Sequence, residues 1–133
     1  MVDAGMYVCP TLEMYKSFGW DTNSTNNLGR FVKAGGNVAL GTNYHQKDEF
    51  YEYELGMPIK EILWMQEAGM TPMEIIVAGT KNAAIVCNLG SVLGTLEPGK
   101  IADILVIDGN PLKDLANLQK VRLVIKEGVV IKQ

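Results

Sequence analysis

The single histidine of this 133-residue chain, His45, sits in NVALGTNYHQ, residues 37–46. An apolar run, Val38 to Leu40, ends in Gly41-Thr42 and opens onto Asn43, Tyr44 and His45. A strand that delivers polar groups at its C-terminal tip has this form. An imidazole can exchange a proton near neutral pH or ligate a metal. An amide can offer its oxygen weakly to a metal but cannot act as a general base. Each residue therefore has two readings. Asn43 is a site residue or a turn-forming asparagine after a strand. Tyr44 and His45 are candidates for contact with a substrate, and His45 for a ligand or base; the plainer reading is a solvated loop. Asp48, Glu49 and Glu52 could join His45 in a carboxylate–imidazole metal cluster, or simply form a charged, solvated segment.

The elements that must hold this segment come from the rest of the chain. A length of 133 residues suits one domain with a real core. Hydrophobic residues make up 47% and charged residues 20%, with a net charge of −3, so no basic surface points to nucleic acid. The first residues lack a positive region ahead of an apolar stretch, and no window approaches the roughly 18 apolar residues of a membrane span. Cys9 and Cys87 read as reduced, buried thiols, which suits the cytoplasm. One histidine and two separated cysteines cannot close a zinc site without a carboxylate.

Residues 6–12, MYVCPTL, read as a buried strand broken near Pro10. GWDTNSTNN, residues 19–27, reads as a polar loop. Leu28, Phe31 and Val32 mark a short helix that Gly35-Gly36 stop. Residues 37–42 form the second buried strand, completing the pattern of a parallel βαβ unit. Residues 47–53, KDEFYEY, have no clear period. Pro58 opens a helix with Ile59, Ile62, Leu63 and Gln66 along one side, ended by Gly69. Thr71-Pro72-Met73-Glu74 is a capping box that starts a second helix running to about residue 87. Its stripe is interrupted at Gly79-Thr80. Met57, Met65, Met70 and Met73 read as core gap-fillers. Further on come a turn at Pro98-Gly99, a strand over residues 101–107, a turn at residues 108–111 and a short helix over residues 112–118. A hairpin around Glu127-Gly128 closes the chain. Lys100 and Asp103 read as structural residues. The division is residues 1–96, with βα units, and residues 97–133, a small β module.

The run GMTPMEIIVAGTKNAAIVCNLGSVLGTLEPGKIADILVIDGNPLKDL, with the hairpin VRLVIKEGVVIK, resembles the C-terminal signature of the amidohydrolase superfamily. The branch it is similar to includes imidazolonepropionase and the prolidase-type dipeptidases. ALGTN falls where that family carries Gly-Thr-Asp at the tip of the eighth barrel strand. The resemblance implies an α/β fold, the last two strand–helix units of a (β/α)8 metal-dependent hydrolase barrel followed by a small β module from a flanking β-domain. The active site of such a barrel lies at the C-terminal strand ends. Zinc or another divalent metal in the complete enzyme activates water against an amide or related bond.

On this template residues 6–12 correspond to strand seven and residues 37–42 to strand eight. The family's metal-binding histidines then fall upstream of Met1, and Asn43 stands at the position of its metal-binding aspartate. The chain alone is expected to hold no metal and to be inactive. It reads as a C-terminal fragment or split half of an enzyme that cleaves a C–N bond in a small cyclic amide or dipeptide-like substrate. The other reading is a non-catalytic remnant that serves as an assembly or binding module. Strands without outer neighbours would expose edges, so a homo-oligomer or an upstream half of the enzyme is the expected partner.

Overall fold

The computed structural model describes residues 1–19, 23–43 and 56–132. Two short strands, β1 (Tyr7–Val8) and β2 (Asn37–Val38), pair in parallel, with Tyr7 opposite Asn37 and Val8 opposite Val38. Between them run two helices, α1 (Leu12–Ser17) and α2 (Ser24–Lys33). The βαβ order read from the sequence holds, but both strands are shorter than the expected residues 6–12 and 37–42. Pro10 has no N–H to give a ladder, and Thr11 turns the backbone into the left-handed region at φ 48°. The chain leaves the strand there and enters α1, a helix the apolar pattern did not reveal. Ser24 to Asn27, expected in a loop, form the first turn of α2.

The pairing extends past β2 as single bonds. Ala39 N–H donates to the Val8 carbonyl at 3.0 Å. On the opposite edge, Leu40 N–H donates to the Ala78 carbonyl at 3.0 Å, and Asn82 Nδ2 donates to the Val38 carbonyl at 2.8 Å. This edge, expected to be open, is thus closed at Val38 to Leu40 by the chain's own helical layer.

That layer consists of α3 (Ile59–Glu67), α4 (Pro72–Val77), a π-helical turn (Ala78–Asn82) and α5 (Ala83–Val86). Thr71 and Glu74 form the capping box in full, the Thr71 hydroxyl accepting from Glu74 N–H and the Glu74 carboxylate from Thr71 N–H. The helix read as running to about residue 87 is continuous to Val86, its bonding widening to a π turn over Ala78–Asn82 at the Gly79-Thr80 interruption. A Cβ on Gly79 would come within 3.1 Å of Leu40 Cδ2, so close packing on the strand explains this small residue.

In α3 the buried stripe is Ile62 and Met65, continuing to Ala68, with Glu61 beside them. Leu63, placed inside by the sequence reading, is 45% exposed, and Gln66 is exposed too. These residues join Leu12, Leu28, Val38, Met70 and Ile75 in one core. Met65 and Met70 fill it as expected, whereas Met73 is exposed. Cys9 and Cys87 are free, but both are exposed rather than buried.

α2 and α3 approach closely at Gly29, where an added Cβ would lie 2.6 Å from the Ala68 carbonyl oxygen. Alanine ordinarily favours a helix over glycine by about 1 kcal/mol. Here the clash reverses the sign. Gly29→Ala is expected to destabilise the chain by about 1–3 kcal/mol in urea denaturation, and a more stable variant would contradict this contact.

The second sheet is antiparallel, in the order β3 (Ile104–Ile107), β4 (Val121–Lys126), β5 (Val129–Lys132). A 310 turn, Leu115–Gln119, precedes β4, one turn later than the helix expected there. Its Leu115 is fully buried in the core that contains Leu12 and Ile62, so residues of the β module share the core of the βα part.

Asp103 pins the hairpin. Its carboxylate accepts from Lys126 Nζ at 2.6 Å and from Glu127 N–H at 2.8 Å, and Gly128 N–H donates to the Ala102 carbonyl. Lys100 donates to the Gly90 carbonyl and to Thr95 Oγ1, tying down the loop before β3. Both roles are structural. The Lys126 hydrogen bond, helped by the Glu127 N–H, holds the Asp103 carboxyl below its ordinary range. A depressed carboxyl stabilises the fold above its ordinary pKa and loses that contribution as pH falls through the depressed value. Asp103→Asn should therefore speed amide exchange at Glu127 at neutral pH and flatten its acid dependence. Unchanged exchange in the variant would show that the hairpin does not rely on this carboxylate.

Among the described residues, no helix is long and apolar enough to cross a membrane.

Candidate functional site

The parallel pairing sets the C-terminal tips of β1 and β2 side by side. A Cβ on Gly41 would lie 3.6 Å from both Cβ and Sγ of Cys9, so the two tips touch. Two residues on, Asn43 turns the chain at φ 54°. Asparagine and aspartate tolerate this left-handed region better than most residues. The exposed side chain of Asn43 reaches α1, where Nδ2 lies 2.9 Å from the sulfur of Met14. Tyr44 and His45, and the acidic residues Asp48, Glu49 and Glu52, lie outside the described residues. Of Asn43, Tyr44 and His45, the structure therefore describes Asn43, just past a strand tip and against α1.

Beneath the tips lies a carboxylate that the sequence reading passed over. Glu61, on α3, is fully buried. Its Oε1 accepts from Leu12 N–H at 2.9 Å and its Oε2 from Glu13 N–H at 2.6 Å. These are free donors at the amino end of α1, where Thr11 makes no side-chain cap. A side chain almost fifty residues away in sequence thus supplies the cap, and its charge suits a helix N-terminus. The nearby cation, Lys60, reaches the Glu13 carboxylate at 3.8 Å. Burial pushes the Glu61 carboxyl above its ordinary value; the two N–H bonds oppose that shift and the Glu13 charge adds to it.

Although Cys9 as a residue is exposed, crowding of its sulfur raises the thiol pKa, with smaller contributions from Cys87 and Glu61. At neutral pH it is a thiol, which makes it a weak nucleophile. A cleft of about 500 Å³ opens near β1, lined by Val8, Pro10, Leu12, Tyr15, Leu28 and Phe31 among others. Asn43 is not part of its lining.

Residues 4–131 match the amidohydrolase family. The chain belongs to that family. The imidazolonepropionase of Thermoanaerobacter pseudethanolicus is 39% identical over 83 residues, 62% of this chain and 19% of that protein. The crystal structure of a Xaa-Pro dipeptidase with bound methionine in the active site superposes on all of this chain and 36% of its own, with a TM-score of 0.85 and 26% identity. Ochratoxinase from A. niger covers 99% of this chain and 33% of its own, with a TM-score of 0.82 and 26% identity. The chain therefore spans about a fifth of the length of the curated relative and about a third of these neighbours.

Amidohydrolases typically use a divalent metal, and the residues described in this member do not fit one. No group of three His, Cys, Asp or Glu side chains among them could hold an ion. At the strand tip the donor is an amide. Two of the described carboxylates are buried near the tips: Glu61 has both oxygens committed to backbone N–H groups, and Glu13 faces Lys60 at 3.8 Å. The Glu61 signal in the sequence was one of phase. Glu61, Met65 and Ala68 share a helix face at i, i+4 and i+7.

Proposed function

We propose that this amidohydrolase chain acts as the C-terminal portion of a metal-dependent hydrolase that cleaves a C–N bond in a small cyclic amide or dipeptide-like substrate. In this reading β1 and β2 are barrel strands seven and eight, and residues 97–133 are part of the flanking β-domain. The catalytic histidines come from a separate or preceding segment. One observation carries the proposal. Asn43 lies just beyond the tips of a parallel strand pair, in a chain with a single histidine that spans about a third of the hydrolases it superposes on.

What this chain contributes is position. The paired tips carry Asn43 toward the mouth, and α1 supports its side chain. Tyr44 and His45 follow directly in sequence and are the candidates for substrate contact. The amide of Asn43 can donate and accept hydrogen bonds to orient a polar substrate, but it cannot take a proton from water. That amide also favours the second reading, a non-catalytic assembly or binding module. In either case the partner is the ligand-bearing segment or a second copy of the chain. It would cover exposed apolar residues such as Val129, Val130 and Ile131 on β5, the last strand of its sheet.

Metal stoichiometry tests this. The purified chain, dialysed against zinc and analysed for bound metal, should hold well under one ion per chain. Close to one tightly held ion would show a complete metal site within these 133 residues and overturn the proposal.

A further inference from the structure

We propose that Glu61 is a positioning residue for the strand tip: by anchoring the amino end of α1 from α3, it holds Met14 where the side chain of Asn43 docks. The inference deepens the reading of Asn43 as a site residue and rests on it.

Three observations link the two residues. First, the backbone ahead of α1 is strained. Thr11 is β-branched and sits at φ 48°, a conformation that persists only when its surroundings hold it. Second, the free donors of Leu12 and Glu13 just after it are both taken by the Glu61 carboxylate, in a fully buried setting. In a buried setting such bonds are electrostatically stronger than in water. Third, Met14, one residue further along, meets Asn43 Nδ2 at 2.9 Å. α1 has six residues, too few to be stable by itself, so its placement depends on such tertiary ties. Two more ties run to the same helix. Lys16 reaches Glu67 at 3.7 Å and lies 5.2 Å from the centre of the Trp64 ring. These sit at the far end of α1, so they fix its direction, while Glu61 fixes its start.

A residue that only stabilised the fold would leave the Asn43 amide indifferent to its charge. A positioning residue would not. The charged and titratable groups around Glu61 are the Glu13 carboxylate with Lys60 upon it, and the Cys9 thiol. Cys9 titrates far above the carboxylates. Glu13→Gln keeps its backbone N–H and removes the competing carboxylate, leaving Glu61 as the acid in this cluster.

The experiment is a pH titration by NMR of the whole chain carrying Glu13→Gln. It follows the Glu61 side-chain carboxyl carbon, the backbone amide protons of Leu12 and of position 13, and the side-chain NH2 of Asn43. The inference expects all of them to move with one midpoint. It expects the Asn43 signals to stop following that midpoint when Glu61→Gln is added, in a variant still folded by circular dichroism. Leu12 and its neighbour titrating while Asn43 does not would reduce Glu61 to a cap and overturn the inference. Backbone amides that ignore the carboxyl would overturn it too. None of these signals requires activity, so the result stands apart from whether the chain serves a hydrolase. If it does, Glu61→Gln in the complete enzyme should lower kcat with little change in KM.

Discussion

Replacing Glu61 by alanine is expected to destabilise the chain by about 2–5 kcal/mol, a large share of the 5–15 kcal/mol that usually holds a domain together. The substitution removes the acceptors of two N–H groups at the buried start of α1 and opens a void beside Ile62 and Met65. Glu61→Gln keeps one acceptor oxygen and should cost less. The pH dependence has a definite sign. Burial raises the Glu61 carboxyl in the folded chain above its ordinary value. The folded state therefore binds this proton more tightly than the unfolded one, and the side chain's contribution is fully present below the ordinary carboxylate range. It diminishes as pH rises through the raised value. Urea denaturation should accordingly show a larger difference between native chain and Glu61→Ala at acid pH than at pH 8. A cost below 1 kcal/mol, or one that grows with pH, would contradict the buried cap.

The second large effect concerns Asn43. In an enzyme completed by the ligand-bearing segment, Asn43→Asp should raise kcat by about 10²-fold or more, the lower end of what a positioned general base contributes. A carboxylate can accept a proton from the attacking water and an amide cannot. The backbone permits the change, because aspartate, like asparagine, tolerates the φ of 54° found there. In the isolated chain the same substitution should produce no activity. Equal rates for the native and substituted complexes would show that the amide is no defect and would favour an orienting role for Asn43.

The sequence carried the parallel order of β1 and β2, the capping box at Thr71 and the closing hairpin, because each rests on local signals. A short apolar run, a Thr-Pro-x-Glu cap and Glu-Gly at a turn are all contained within a few residues. It did not carry α1. Pro10 and Leu12 fit a strand equally well, and what makes Leu12 helical is a carboxylate supplied by α3. The face of α3 was misread for a related reason. Leu63 is more apolar than Glu61, yet Leu63 points outward while Glu61 turns in toward two backbone donors. Hydropathy cannot foresee a buried carboxyl whose oxygens meet backbone donors from a distant helix. The π turn was visible as a weak step at Gly79-Thr80, although its use, closing the edge of β2 through Ala78 and Asn82, needed the fold. The place of Asn43 after an apolar strand was legible in the sequence. Its contact with Met14 was not, since it spans two elements whose approach depends on Glu61.

The most direct test of the central claim, that this chain is the non-ligating C-terminal part of an amidohydrolase, is a hydrolysis assay on two preparations. One is the chain alone; the other is the chain joined to a histidine-bearing amidohydrolase segment comprising the first six strand–helix units. Both are offered prolyl dipeptides and imidazolone-type cyclic amides. The expected result is no turnover by the chain alone and chelator-sensitive turnover by the joined protein. Chelator-sensitive hydrolysis by the repurified chain alone, or a folded joined protein that binds metal yet turns over neither substrate class, would contradict it.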